Sequence, residues 1–291
     1  MFAKTIKLFL IDGIPNARIS CELSNWTGKA YKIPRSYVKE CTDRPELETT
    51  GVYMLIGKSD NTISKNEIYI GEAENIFKRV QQHLVTEKDF WNEVIIFISK
   101  DENLNKAHIK YLENRLHDIS IKANRFEVLN KQIPTPSSIS ESDKAEMEEF
   151  LSNVIMLVNI LGYKVFEKIS DLKESKEEDQ ENLFFIEAIR GASGKGKPST
   201  EGFIVFENSQ IADPVTESYP KSMKILREKL LEEKTIVTKG NKLILKHDYI
   251  FSSSSTAAMI VMGRSANGLI EWKTSNGKTL RDFETEGINQ Q

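Results

Sequence analysis

The sequence is poor in cysteine, has no long apolar run, and carries no surplus of positive charge. Two cysteines in 291 residues, Cys21 and Cys41, make no disulfide framework, and without a Cys-x-x-Cys pair or a Cys/His cluster they suggest no zinc site. The apolar run Leu8-Phe9-Leu10-Ile11 stops at Asp12-Gly13, too short for a secretory core and far below the roughly 20 residues that span a bilayer. A reducing cytoplasm, with no membrane partner, is the expected setting. Lys and Arg number 40 against 43 Asp and Glu, a formal charge of -3. A nucleic-acid partner must then meet locally gathered basic residues, because phosphate neutralisation depends on the contact surface and not on the average. Lys58, Lys65, Lys78, Arg79, Lys106, Lys110 and Arg115 are the candidates for such a surface.

What is present is a globular composition, 39% hydrophobic and 29% charged, long enough for two or three domains. Residues 1–47 read as a small β-rich segment, with strands over Ile6–Ile11 and Arg18–Leu23 around a turn at Asp12-Gly13. Residues 48–137 carry a ββαβα pattern. Val52–Ile56 is one strand and a second ends at Tyr69-Ile70-Gly71. A helix over 74–84 follows, then a third strand over Val94–Ile98 and a longer helix over 103–122. Residues 138–181 hold a helix from Asp143 to Phe166, N-capped by Ser140 or Ser142, and the charged run Asp171–Glu181, read as a solvated linker. Residues 182–291 form a second α+β unit. Its strands Phe184–Ile189 and Phe203–Phe206 flank a Gly-rich connection. Helices over 223–233 and 256–262 and a hairpin over 269–280 complete it.

Five polar residues of 48–137 stand where a site would form. Tyr53 and Tyr69 lie on consecutive strands expected to pair antiparallel. Arg79 and His83 are four apart on one helix face, flanking its apolar stripe. Glu113 lies beside the stripe of the later helix. Gly51-Val52-Tyr53, Tyr69-Ile70-Gly71, Arg79, His83 and Glu113 together resemble the GIY-YIG nuclease family from Gly51 to about Asn130. Asn130 resembles the asparagine that trails the family's motifs. Two features depart from the family pattern: Val52 stands for isoleucine, and the connection between the tyrosines is longer than usual, with its extra residues around Ser59–Lys65.

The resemblance implies a three-stranded antiparallel sheet flanked by helices, and a metal-dependent endonuclease acting on DNA. Catalysis would fall to Tyr53, Tyr69, Arg79, His83 and Glu113, with Gly51, Gly71 and Asn130 at the substrate. Glu113 would hold Mg²⁺ or Mn²⁺, hard cations that prefer oxygen ligands. Arg79 would grip the scissile phosphate. Tyr53 would take a proton from the attacking water, a role that needs the phenolate. Tyr69 would orient water or phosphate, and His83 would assist proton transfer or bind phosphate; the sequence alone does not decide which tyrosine is the base. The alternative expectation is a noncatalytic nucleic-acid-binding or protein-interaction regulator on the same fold.

Gly191-Ala192-Ser193-Gly194-Lys195-Gly196-Lys197-Pro198 nearly spells a phosphate loop, but Pro198 replaces the hydroxyl residue and a strand follows. It reads as a flexible hairpin loop. Asp248 to Ala258, Gly263-Arg264-Ser265-Ala266-Asn267-Gly268 and Trp272 resemble an uncharacterised C-terminal domain that often follows GIY-YIG domains in prokaryotes, over about 183–283. Its expected part is to bind DNA or a protein partner. The serines at 252–255 are expected to cap a helix.

Overall fold

A computed structural model describes residues 3–57, 65–85, 89–168 and 183–286. The charged run 171–181, Lys58 and most of the long connection between the tyrosines lie outside the described residues. The chain divides into two compact units, Met1–Lys168 and Ile169–Gln291, both α+β. Among the described residues no helix is long and apolar enough to cross a membrane.

The first unit contains β1 (Ile6–Leu10), β2 (Ile19–Leu23), β3 (Gly28–Pro34), β4 (Gly51–Gly57), β5 (Glu67–Ala73), α1 (Ile76–Val85), β6 (Glu93–Ser99), α2 (Lys106–Ala123), β7 (Glu127–Val128) and α3 (Glu141–Ile160). The sequence predicts three strands with a separate β segment before them. The structure instead has one seven-stranded sheet, in the order β1-β2-β3-β6-β4-β5-β7. The reason lies in β6, Glu-Val-Ile-Ile-Phe-Ile-Ser, which is apolar on both faces and so must be central. It pairs with β4 on one side and with β3 on the other, Gly28↔Ser99 through Pro34↔Glu93. Residues 1–47 are thereby drawn into the same sheet.

Period-two alternation divides β4 between two cores. Val52, Met54 and Ile56 face α2 and α3, while Tyr53 and Leu55 face α1 and a 3-10 helix over Arg35–Asp43. Of the two long helices, the second is capped as the sequence predicts and the first has a cap that the sequence reading did not mark. The Asn105 side chain accepts from the N–H groups of Ala107 and His108 at the start of α2, and Ser140 accepts from Asp143 N–H at the start of α3. The second of these helices stops at Ile160, short of the Phe166 expected. Gly162 adopts φ +99, which only glycine takes readily. Leu161, Tyr163, Val165 and Phe166 remain buried beyond it, so the apolar pattern outlasts the helix.

The second unit contains β8 (Phe184–Ala188), β9 (Ala192–Ser199), β10 (Gly202–Val205), β11 (Gln210–Ile211), α4 (Lys221–Glu232), β12 (Ile236–Lys239), β13 (Lys242–Leu245), β14 (Tyr249–Phe251), α5 (Ser254–Met262), α6 (Gly268–Glu271) and α7 (Leu280–Thr285). The Gly-rich stretch is not a flexible loop. It is β9, paired with β8, β10 and β11. Its glycines are places of close approach: a Cβ on Gly196 would lie 2.3 Å from the Ile204 carbonyl oxygen, and one on Gly194 would lie 3.2 Å from Val261 of α5. The expected hairpin over 269–280 is also corrected. Its first residues form α6, and only a turn at Thr274–Gly277 and the bridge Lys273↔Thr279 remain of it.

Candidate active site

The β4–β5 register places Tyr53 opposite Gly71 and Leu55 opposite Tyr69. Both tyrosines therefore point to the α1 face of the sheet, two residues apart along the pair. Helix α1 begins just after β5, and its apolar side (Ile76, Phe77, Val80) is buried. That docking carries His83 under the sheet. The Tyr53 hydroxyl lies 2.8 Å from His83 Nε2, both residues being buried. The rings of Tyr53, Tyr69 and His83 form a triangle with centroid separations of 6.3, 5.5 and 5.6 Å.

Accessibility is graded across the cluster. Tyr53 and His83 are buried, Tyr69 and Glu113 are half-buried, and Arg79 is exposed. Arg79 donates to Gln82 Oε1 at 3.0 Å and couples to both phenols. Burial lowers its pKa, but Tyr53 and Tyr69 outweigh that and hold it above the ordinary value. Burial pushes the Tyr53 phenol well above its ordinary value, Tyr69 adds to this, and the opposing pull of Arg79 does not overcome it. A resting phenolate at Tyr53, which the expected base role requires, is thus disfavoured.

Glu113 on α2 is pushed up to about 7, first by burial and then by Glu72, with Lys110 and Arg79 pulling the other way. Glu72 is the member of this cluster that sequence reading overlooked. Its signal was its position: it directly follows Gly71 on β5, the strand against which α2 packs. Among the described residues no group of three or more His, Cys, Asp or Glu stands ready as a metal cage. Glu113 with Glu72 nearby suits Mg²⁺ or Mn²⁺, which need one or two carboxylates and take their remaining oxygens from water and phosphate.

Gly51, Gly71 and Asn130, expected at the substrate, lie in or beside the strands that carry the tyrosines. Gly71 is buried beneath Tyr53, where a Cβ would lie 2.4 Å from the tyrosine hydroxyl. Gly51 is buried against the Phe97 carbonyl oxygen, 2.3 Å from where a Cβ would stand. Asn130 extends the short β7 pairing with its side chain. Its Oδ1 accepts from Ile70 N–H at 3.1 Å and its Nδ2 donates to Ile70 O at 2.7 Å. Gly71 and Asn130 thus shape and brace the strand between Tyr69 and Gly71, and Gly51 lets β4 lie close to β6. The expected basic surface is also reduced. Arg115 is bound to Glu148 at 2.6 Å and Lys106 to Glu74 at 2.7 Å.

In the second unit the serines are structural. Ser253 caps α5 by accepting from Thr256 N–H, the Ser254 carbonyl accepts from Trp272 Nε1, and the Ser255 hydroxyl accepts from Gly268 N–H. Arg264 is paired with Glu271 at 2.7 Å.

No curated protein and no solved structure matches the chain. Residues 184–284, nearly the whole described part of the second unit, match the family model of a domain of unknown function, DUF4357.

Proposed function

We propose that the first unit is a metal-dependent endonuclease of the GIY-YIG type that hydrolyses phosphodiester bonds in DNA. One observation carries this reading: β4, β5, α1 and α2 bring Tyr53, Tyr69, Arg79, His83 and Glu113 into one electrostatically coupled cluster graded from core to surface. A structural core has no use for an exposed arginine coupled to two phenols, or for a carboxylate held half-ionised near neutrality.

In this reading Arg79 binds the scissile phosphate and offsets the charge that builds on its oxygens. Glu113 holds Mg²⁺ or Mn²⁺, with Glu72 as a second anionic neighbour. When bound there, the ion would supply Lewis-acid stabilisation of the charge that develops on the phosphate. Tyr53 and His83 act as one unit: as Tyr53 accepts the proton of the attacking water, its own proton passes to His83 Nε2. No phenolate is then needed at rest. Tyr69, nearer the surface, orients the water or the phosphate. The second unit supplies the choice of DNA or of a protein partner.

The test is cleavage of duplex, single-stranded, nicked and branched DNA with Mg²⁺ or Mn²⁺, wild type beside Glu113→Ala. Cutting that is lost in the variant is the expected result. Absence of cutting on every substrate, with DNA binding unchanged by the substitution, would remove the enzyme reading and leave a noncatalytic binder.

A further inference from the structure

The sheet of the first unit ends differently at its two edges. One edge strand, β7, is two residues long and parallel to its neighbour. The other, β1, has five residues and, among the described residues, pairs only with β2. Its side chains do not defend it. Leu8 is 55%, Phe9 61% and Leu10 38% exposed, and Ile14, on the turn beyond, is 52% exposed. Lys7 is the single charge in the strand, and neither proline nor bulge discourages further pairing.

Bond parity fixes which backbone groups are open. Ser24 N–H donates to Thr5 O, and Ile11 N–H donates to Arg18 O. The odd-numbered residues therefore carry the bonds to β2. The N–H and C=O groups of Ile6 and Leu8 point away from the sheet, as does the Leu10 N–H. The Leu10 carbonyl accepts from Gly13 N–H and keeps a second lone pair. The edge is also held in place: Arg18, buried at the end of the hairpin, binds Asp12 at 2.6 Å and Asp43 at 2.7 Å.

We propose that this edge is a homodimer interface, with β1 pairing antiparallel to β1 of a second copy about a two-fold axis at Leu8. Leu8 then faces Leu8, and Ile6 faces Leu10. All six aliphatic side chains gather on the sheet face to which Ile6 and Cys21 already belong. On the opposite face Lys7 of each copy meets Phe9 of the other, an ammonium beside a ring. The strand is thus complementary to itself, which favours a second copy over a foreign peptide. An axis at Lys7 would oppose two ammonium groups, and an axis at Phe9 would leave Ile6 outside the ladder. The strip buries on the order of 1,000 Å² in total, at the small end of specific interfaces. An interface this small is expected to be weak, with a dissociation constant of roughly micromolar order.

Sedimentation of the full chain from about 1 to about 100 μM spans that range. The mass is expected to rise from 33.2 kDa toward twice that value. Leu8→Glu, at an exposed side chain, sets two carboxylates against each other at the axis and should weaken the dimer by at least about tenfold. With an added two-electron thiol oxidant, Leu8→Cys should form an intermolecular disulfide, because directly bonded strand pairs have Cα atoms about 5.5 Å apart. Lys7→Cys should not, and the native Cys21 and Cys41 are buried. A monomer across the whole range would overturn the proposal, as would a dimer indifferent to Leu8→Glu that gives no Leu8→Cys crosslink.

Discussion

The Tyr53 hydroxyl lies 2.8 Å from His83 Nε2, joining the first strand of the candidate site to its first helix inside the core. Tyr53→Phe keeps the ring and removes that bond. If the pair moves a proton, cleavage should fall by at least about 100-fold while the fold persists. Loss of this buried hydrogen bond should cost about 0.5–1.5 kcal/mol of stability. Cleavage assays and denaturant unfolding, run on the same preparation, check the two effects separately. Loss of stability without loss of cleavage would make the pair purely structural.

Gly71→Ala tests whether the glycine serves the tyrosine. The new Cβ would stand 2.4 Å from the Tyr53 hydroxyl, so the ring must move away from His83. Overpacking of this kind typically costs about 1–3 kcal/mol. The expected result is an activity loss approaching that of Tyr53→Phe, with DNA affinity retained. An alanine variant with full cleavage would show that the close approach is immaterial.

Glu113 makes stability depend on pH in an unusual direction. Its carboxyl is raised from 4.5 to about 7 in the folded chain, so between those values the folded state binds more protons than the unfolded state. Its contribution therefore favours folding at low pH and declines as pH rises through that window. With partial solvent contact discounted, the change is on the order of 1–2 kcal/mol. Urea unfolding in a chelator should show this decline for the wild type, and Glu113→Gln should flatten it. The same titration predicts that Mg²⁺-dependent cleavage falls as pH drops below about 7, as protons compete for the carboxylate.

Asn130→Ala removes both bonds to Ile70. At about 0.5–1.5 kcal/mol per bond, the loss should fall on the outer edge of β5. Hydrogen exchange at the Ile70 amide should speed up well beyond that of residues in β6. Unchanged protection there would mean that the side-chain clasp adds nothing to the strand.

The sequence by itself determined the local pieces. Hydrophobic period located α1, α2, β4 and β6. Ser140 marked a helix start because its short side chain satisfies an otherwise unpaired N–H group, whereas the cap at Asn105 is seen only in the structure. The order of Tyr53, Tyr69, Arg79, His83 and Glu113 was legible because each residue sits at a fixed phase of its own element. Only the tertiary structure decided what depends on pairing between distant segments. The doubly apolar pattern of β6 marks it as buried but does not name β3 as its second neighbour, so the seven-stranded sheet was hidden. The glycines of β9 looked like a loop because their purpose is space for Ile204 and Val261, which are remote in sequence. Asn130 could be read from the sequence as a brace for the site, but its partner Ile70 and the steric roles of Gly51 and Gly71 emerged only once the strands lay side by side. Glu72 joined the site for the same reason: its nearness to Glu113 depends on where α2 crosses β5, and side-chain spacing along the chain cannot encode that crossing.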